Sequence, residues 1–191
     1  MVGDLTRALD ERDAYSGGHT LRVTGLAEIL ARRLGWDDGR LASLRLGGLL
    51  HDIGKLTLPR SLLRKPGPLD AGELALIRLH PVVGARIVAP IVRGKSPLDC
   101  VLYHHEHWDG RGYPLGRSGA DIPEPARVLS VADAFDAMTS RRPYRAALTA
   151  SAALAELDRC TGSQFDPVVA QAFADAWDAG EVPFVAEHSA A

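Results

Sequence analysis

A chain of 191 residues, 46% hydrophobic and 24% charged, can bury one proper core and gives no sign of a second domain. Its net charge of −2 lacks the basic field by which proteins hold extended nucleic acid, which argues against such a partner and leaves positive charge as a local matter of a pocket. No signal peptide and no apolar run of about 18 residues is present, so neither export nor a membrane span is expected.

The first helix is predicted over 19–34, where Leu21, Val23, Leu26, Ala27, Ile29, Leu30 and Leu34 follow a period near 3.6 and Gly35 ends the run. A second is predicted over 41–53, and a loop over 54–70, which holds Pro59, Pro66 and Pro68. Helices over 73–79 and 82–92 flank a break at His80-Pro81, and another runs over 97–106. A long loop over 108–122 follows, with Gly110, Gly112, Gly116 and Gly119 making it a candidate lid. The inner helix is predicted over 125–139, and helices over 150–160 and 168–177 complete the chain. No period-2 strand pattern emerges, so the expected class is all-α. Cys100 and Cys160 each sit in an apolar helical context outside any Cys-x-x-Cys pair; they read as buried free thiols in a reducing cytoplasm. Residues 181–191 lack a periodic apolar face and read as a loose tail, so His188 is a poor ligand candidate.

Seven metal-capable side chains punctuate these elements: His19, His51, Asp52, His80, His104, His105 and Asp133. Any one alone is more often a satisfied core histidine or a capping aspartate. Here His51-Asp52 closes the apolar run 44–50, His104-His105 follows Val101-Leu102-Tyr103, and Asp133 interrupts an apolar inner helix. A buried carboxylate is expensive unless paired or metal-bound. Five imidazoles and two carboxylates exceed what one catalytic ion can use, whereas two ions sharing a bridging Asp52 would each receive about four protein ligands. Mixed nitrogen and oxygen donors without thiolate disfavour a structural zinc site and suit iron or manganese, between which spacing does not choose. Paired ions of this kind serve to cleave phosphate esters, so a phosphate substrate is the first expectation.

Several motifs in fixed order carry a family resemblance: Tyr15-Ser16-Gly17-Gly18-His19, His51-Asp52-Ile53-Gly54-Lys55, Lys65-Pro66-Gly67, His80-Pro81, the run from His104 through Gly112-Tyr113-Pro114, the run 132–145, and Gly162-Ser163-Gln164-Phe165-Asp166-Pro167. Over residues 10–173 the chain resembles an HD-GYP domain, a branch of the HD phosphohydrolase superfamily whose characterised members hydrolyse the bacterial second messenger cyclic di-GMP. The resemblance implies a single-domain helical bundle of the HD type, with a short lead-in at 1–9, a catalytic domain over 10–180 and the tail beyond. It implies that the seven side chains are ligands of two divalent metal ions. Lys55 is implied near the scissile phosphate, with Asp136, Arg142, Arg145 and Tyr113 as substrate-binding residues, Tyr113 also reading as support for a rigid turn. The implied reaction is hydrolysis of cyclic di-GMP to linear pGpG through a metal-bridging hydroxide, in the cytoplasm.

One departure bears on the metal count. Some relatives place a third-metal glutamate four residues before the first histidine, where this chain has Tyr15, which favours two ions and pGpG rather than GMP as product; Asp10, Glu11 and Asp13 lie nearby. Rival readings are an HD phosphohydrolase of another nucleotide, such as a hybrid cyclic dinucleotide, a non-catalytic sensor of cyclic di-GMP, or a helical domain with incidental histidines. The full ligand set argues against the last two. About nine residues precede the match, consistent with a stand-alone enzyme or the catalytic part of a larger chain, and a homodimer or a regulatory partner domain stays open.

Overall fold

The computed structural model describes residues 18–140 and 146–183. Among these residues every regular element is helical, apart from an isolated bridge between Thr161 and Phe165, in agreement with the all-α expectation. The helix α1 (His19–Arg33) buries Val23, Leu26, Ala27 and Leu30 along the stripe its period requires. Helix α2 (Asp38–Leu50) starts three residues before the expected position, because the Asp37 side chain accepts the Arg40 backbone N–H and caps it.

The stretch expected as a loop carries a 3-10 turn (Ile53–Thr57) and a single helical turn, α3 (Arg60–Leu63). Pro59 does not prevent this, since it is the N-cap of α3, where its missing N–H costs no helical hydrogen bond. A capping box of Asp70 and Glu73 opens α4 (Ala71–Ile77). The expected break at His80-Pro81 is instead the first turn of α5 (His80–Val88), a position that proline tolerates well. Next come α6 (Lys95–Tyr103), a 3-10 turn (Gly119–Asp121) and α7 (Glu124–Thr139); α8 (Ala150–Arg159) and α9 (Pro167–Asp178) complete the order.

Two apolar clusters organise these helices. The larger joins α1, the start of α2, α7, α8 and α9 through Leu30, Leu44, Leu129, Phe135, Leu157 and Phe173, with Cys100 and Cys160 buried in it as free thiols. Burial pushes the Cys100 thiol up, so it stays protonated. The smaller cluster, Leu50, Ile53, Val88 and Val101, ties the end of α2 and the 3-10 turn to α5 and α6. The backbones meet at Gly54, where a Cβ would lie 2.0 Å from the His80 carbonyl oxygen. A glycine is therefore required for the 3-10 turn to seat on α5.

The loop 108–122 is tied down at its base. Trp108 and Asp109 donate their backbone N–H groups to the carbonyls of Gln164 and Ser163, at 3.1 and 2.8 Å. Arg127 pairs with Asp166, which also caps α9 by accepting the Val168 N–H. Among the described residues no helix is long and apolar enough to cross a membrane.

Candidate metal centre

The seven expected ligands come from five places in the fold: the first residue of α1, the C-cap of α2 with its neighbour, the first residue of α5, the end of α6 with its neighbour, and the middle of α7. They converge where the two apolar clusters meet, around Asp52, which is 3% exposed. One Asp52 oxygen, Oδ2, lies 3.4 Å from His51 Nε2 and 3.9 Å from His19 Nε2. The other, Oδ1, lies 3.2 Å from His80 Nε2 and 4.0 Å from His104 Nε2. His105 groups with His80, His104 and Asp52, while His19 and His51 form a second group sharing the same carboxylate. Asp133 joins the second side, its Oδ1 3.4 Å from His19 Nε2.

The tautomers of four histidines follow from their partners. Nδ1 of His51 faces the Gly48 carbonyl at 2.7 Å, Nδ1 of His80 the Ile77 carbonyl at 2.7 Å, and Nδ1 of His104 the Cys100 carbonyl at 3.0 Å. His19 Nδ1 faces Asp136 Oδ2 at 2.7 Å. A carbonyl or carboxylate oxygen only accepts, so each Nδ1 carries hydrogen and each Nε2 can turn a lone pair inward. His80 and His104 bring their Nε2 atoms to 3.3 Å of one another. Two lone pairs at that distance repel unless a cation lies near both. His51 Nε2 and Asp52 Oδ1 are buried polar atoms with no hydrogen bond, a costly arrangement in a purely structural cluster. The donor set fits metal ions.

Electrostatics agrees with the geometry at Asp52, His104 and His105, whereas at His51 burial is outweighed by the Asp52 carboxylate, which raises the metal-free imidazole to about 9. Burial alone would raise the Asp52 carboxyl, but the Lys55 ammonium, 2.6 Å from Oδ2, and the neighbouring histidines outweigh it and hold Asp52 well below the carboxylate range. Burial, reinforced by the surrounding imidazoles, pushes His104 well below the usual histidine value; burial also brings His105 down to about 3. Both imidazoles are therefore neutral, the state that metal ligation requires.

The chemical character of this cluster has a counterpart in known proteins. The pattern of the HD domain matches residues 5–169. The chain belongs to the HD domain family. A cyclic di-GMP phosphodiesterase of Thermotoga maritima is 36% identical over 178 residues, covering 90% of this chain and 48% of that protein. The 3′3′-cGAMP-specific phosphodiesterase 3 of Vibrio cholerae is 36% identical over 167 residues, covering 87% of this chain and 36% of that protein. The solved structure of an HDG"Y"P protein from Bdellovibrio bacteriovorus superposes with a TM-score of 0.69 at 26% identity, covering 84% of this chain and 51% of that one. The chain thus spans less than half the length of these curated relatives, and the HD-GYP resemblance read from the motifs is borne out. HD domains of this type hold divalent metal ions, and the cluster around Asp52 supplies donors for them.

The remaining expected residues fall at different distances from the cluster. Lys55 reaches the shared carboxylate Asp52 directly. Tyr113 stacks on His105 with ring centroids 4.7 Å apart. Asp136 lies behind His19, and its oxygens are engaged by His19, by Arg22 Nε at 2.5 Å and by Ser140. Arg142, Arg145 and Tyr15 lie outside the described residues, as do Asp10, Glu11, Asp13 and His188. Two residues went unassigned at the sequence level. Arg22 follows His19 by three, on the same helix face, a spacing that could have flagged it. Glu106 directly follows the histidine pair and is 2% exposed, its carboxylate accepting two loop N–H groups.

Proposed function

We propose that this HD domain hydrolyses cyclic di-GMP to linear pGpG, using two divalent ions, iron or manganese, held by His19, His51, Asp133 and Asp52 on one side and by Asp52, His80, His104 and His105 on the other. The observation that carries this reading is the placement of the two Asp52 oxygens against two separate groups of histidine nitrogens. When bound, the ions supply Lewis acidity and lower the pKa of water for in-line attack on phosphorus.

The chain's own groups do the rest. Asp52 is ionised and shared. Lys55 neutralises it and places a cation beside the reacting phosphoryl oxygens, where charge builds in the transition state. Asp136 fixes the His19 ring by accepting its Nδ1 hydrogen, so it acts through a ligand. Arg142 and Arg145, expected from the motif order, complete the site by holding the dinucleotide, and the enzyme works in the cytoplasm. The names of relatives support a cyclic dinucleotide as substrate, both cyclic di-GMP and 3′3′-cGAMP being represented.

The test is anaerobic purification with metal analysis, followed by incubation with cyclic di-GMP and separately with 3′3′-cGAMP. About two ions per chain and accumulation of pGpG are expected. Faster turnover of 3′3′-cGAMP would overturn the substrate assignment, and bound metal with neither dinucleotide cleaved would overturn the enzymatic reading.

A further inference from the structure

Four of the five site histidines are oriented by an oxygen at Nδ1, and the fifth is not. Among the described residues no hydrogen bond reaches the His105 ring. Its plane is set by neighbouring rings: Tyr113 lies nearly parallel to it, at 4.7 Å and 24°, while His104 is tilted at 4.1 Å and His80 meets it edge-on at 5.1 Å. His104 and His80 are themselves pinned to carbonyls. Tyr113 is the neighbour that covers the face of His105.

Tyr113 sits in a loop, so something must hold it. Its backbone N–H donates to the His105 carbonyl at 3.0 Å. Gly112 permits this approach, since a Cβ there would lie 2.2 Å from His107 N and 2.5 Å from the His105 carbonyl oxygen. On the far side of Tyr113, the buried Glu106 carboxylate closes the loop. Its Oε1 accepts the Leu115 N–H at 2.7 Å and its Oε2 the Arg117 N–H at 3.0 Å. Two backbone N–H groups held by the two oxygens of one buried side chain define the loop's path. The Arg78 guanidinium lies 5.4 Å from the Tyr113 ring centroid.

We infer that Glu106 and Tyr113 form a latch that fixes the imidazole plane of His105, making both positioning residues of the metal centre. Glu106 sets the loop, the loop sets the tyrosine, and the tyrosine ring replaces the hydrogen-bonded oxygen that the other four histidines use. The aromatic face carries this role and the phenol oxygen does not. The inference rests on the reading of His105 as a ligand.

The test compares Tyr113→Phe, Tyr113→Leu, Glu106→Ala and the double variant Tyr113→Leu/Glu106→Ala, with His105→Ala as reference. Cobalt(II) titration followed by visible absorption reads the affinity of each ion, and NMR of the His105 ring protons reads the stacking independently of metal or turnover. Tyr113→Phe should keep both the upfield ring-current shift and the affinity. Tyr113→Leu should lose the shift and weaken one of two ions by about 10- to 100-fold, the usual effect of removing a group that orients a ligand. Glu106→Ala should reproduce Tyr113→Leu, and the double variant should add little, because both act through one contact. If Glu106→Ala does not fold, Tyr113→Leu decides. Unchanged affinity in Tyr113→Leu, or equal losses in Tyr113→Phe and Tyr113→Leu, would overturn the latch. Full affinity in His105→Ala would instead overturn the ligand assignment, and the NMR shift distinguishes the two failures.

Discussion

Asp52 and Lys55 touch at 2.6 Å, yet the proposed function gives them different work, and two substitutions separate them. Asp52→Asn removes the charge shared by both groups of histidines, so metal analysis should show both ions lost together and hydrolysis lost with them. Lys55→Met leaves the seven ligands in place; it should retain the metal and lower kcat by about 100-fold, the scale on which one stabilising group in a reacting site acts. Asp136→Asn gives a third pattern. It weakens the acceptor at His19 Nδ1, so it should reduce metal affinity by about 10-fold or more while leaving KM for the dinucleotide nearly unchanged. A large rise in KM with unchanged metal affinity would return Asp136 to the substrate-contact role implied by the motif. At this scale the sequence displayed the donor atoms well, because histidine and aspartate in apolar runs are conspicuous. It could not display their orientation. The Gly48, Ile77 and Cys100 carbonyls that select the tautomers belong to residues of no special type, and nothing in the sequence shows that the Asp136 side chain turns toward His19.

The helices themselves were legible wherever a 3.6 period spans several turns. Helix α1 and helix α7 lie within a residue of the expected bounds, since their apolar stripes face the larger cluster directly. Short elements were less so. The 3-10 turn at Ile53–Thr57 and helix α3 have too few residues for any period; the turn is seated by Ile53 in the smaller apolar cluster, and α3 starts from its N-cap Pro59. The junction at Gly54 shows how tightly that segment is held. Gly54→Ala would drive a Cβ to 2.0 Å from the His80 carbonyl oxygen and 2.8 Å from Gly84 N, backbone atoms that cannot rotate away. The expected cost is on the order of 3 kcal/mol, read as a lowered midpoint in denaturant unfolding. Since the carbonyl belongs to His80 itself, the folded fraction should also bind metal less tightly. A variant of wild-type stability and affinity would show that the 3-10 turn does not fix the separation of Asp52 from His80.

The candidate centre lies on the seam between the two apolar clusters, and its proposed ligands come from both sides. His19 and Asp133 project from helices of the larger cluster, whereas His51, Asp52, His80 and His104 project from the segments around the smaller one. An ion held by His19, Asp133, His51 and Asp52 would join the two halves of the core more firmly than apolar contact alone, because its bonds to one half are lost when the halves separate. Ligand binding to the native state stabilises it by about 2.7 kcal/mol when the free ligand is a hundredfold above Kd. For a domain near this size each kcal/mol shifts Tm by about 2–4 °C, so chelation of both proposed ions should lower Tm by about 10–20 °C. The change should be uneven. Hydrogen exchange should quicken most in the 3-10 turn, α5 and the end of α6, whose apolar cluster is small, and least in α1 and α7, which are buried in the larger one. Equal acceleration across all helices would mean that the molecule opens as one unit and that the ions do not act across the seam. Acceleration confined to the smaller cluster, reversed when manganese is added back, would identify the metal centre as the joint that holds it in place.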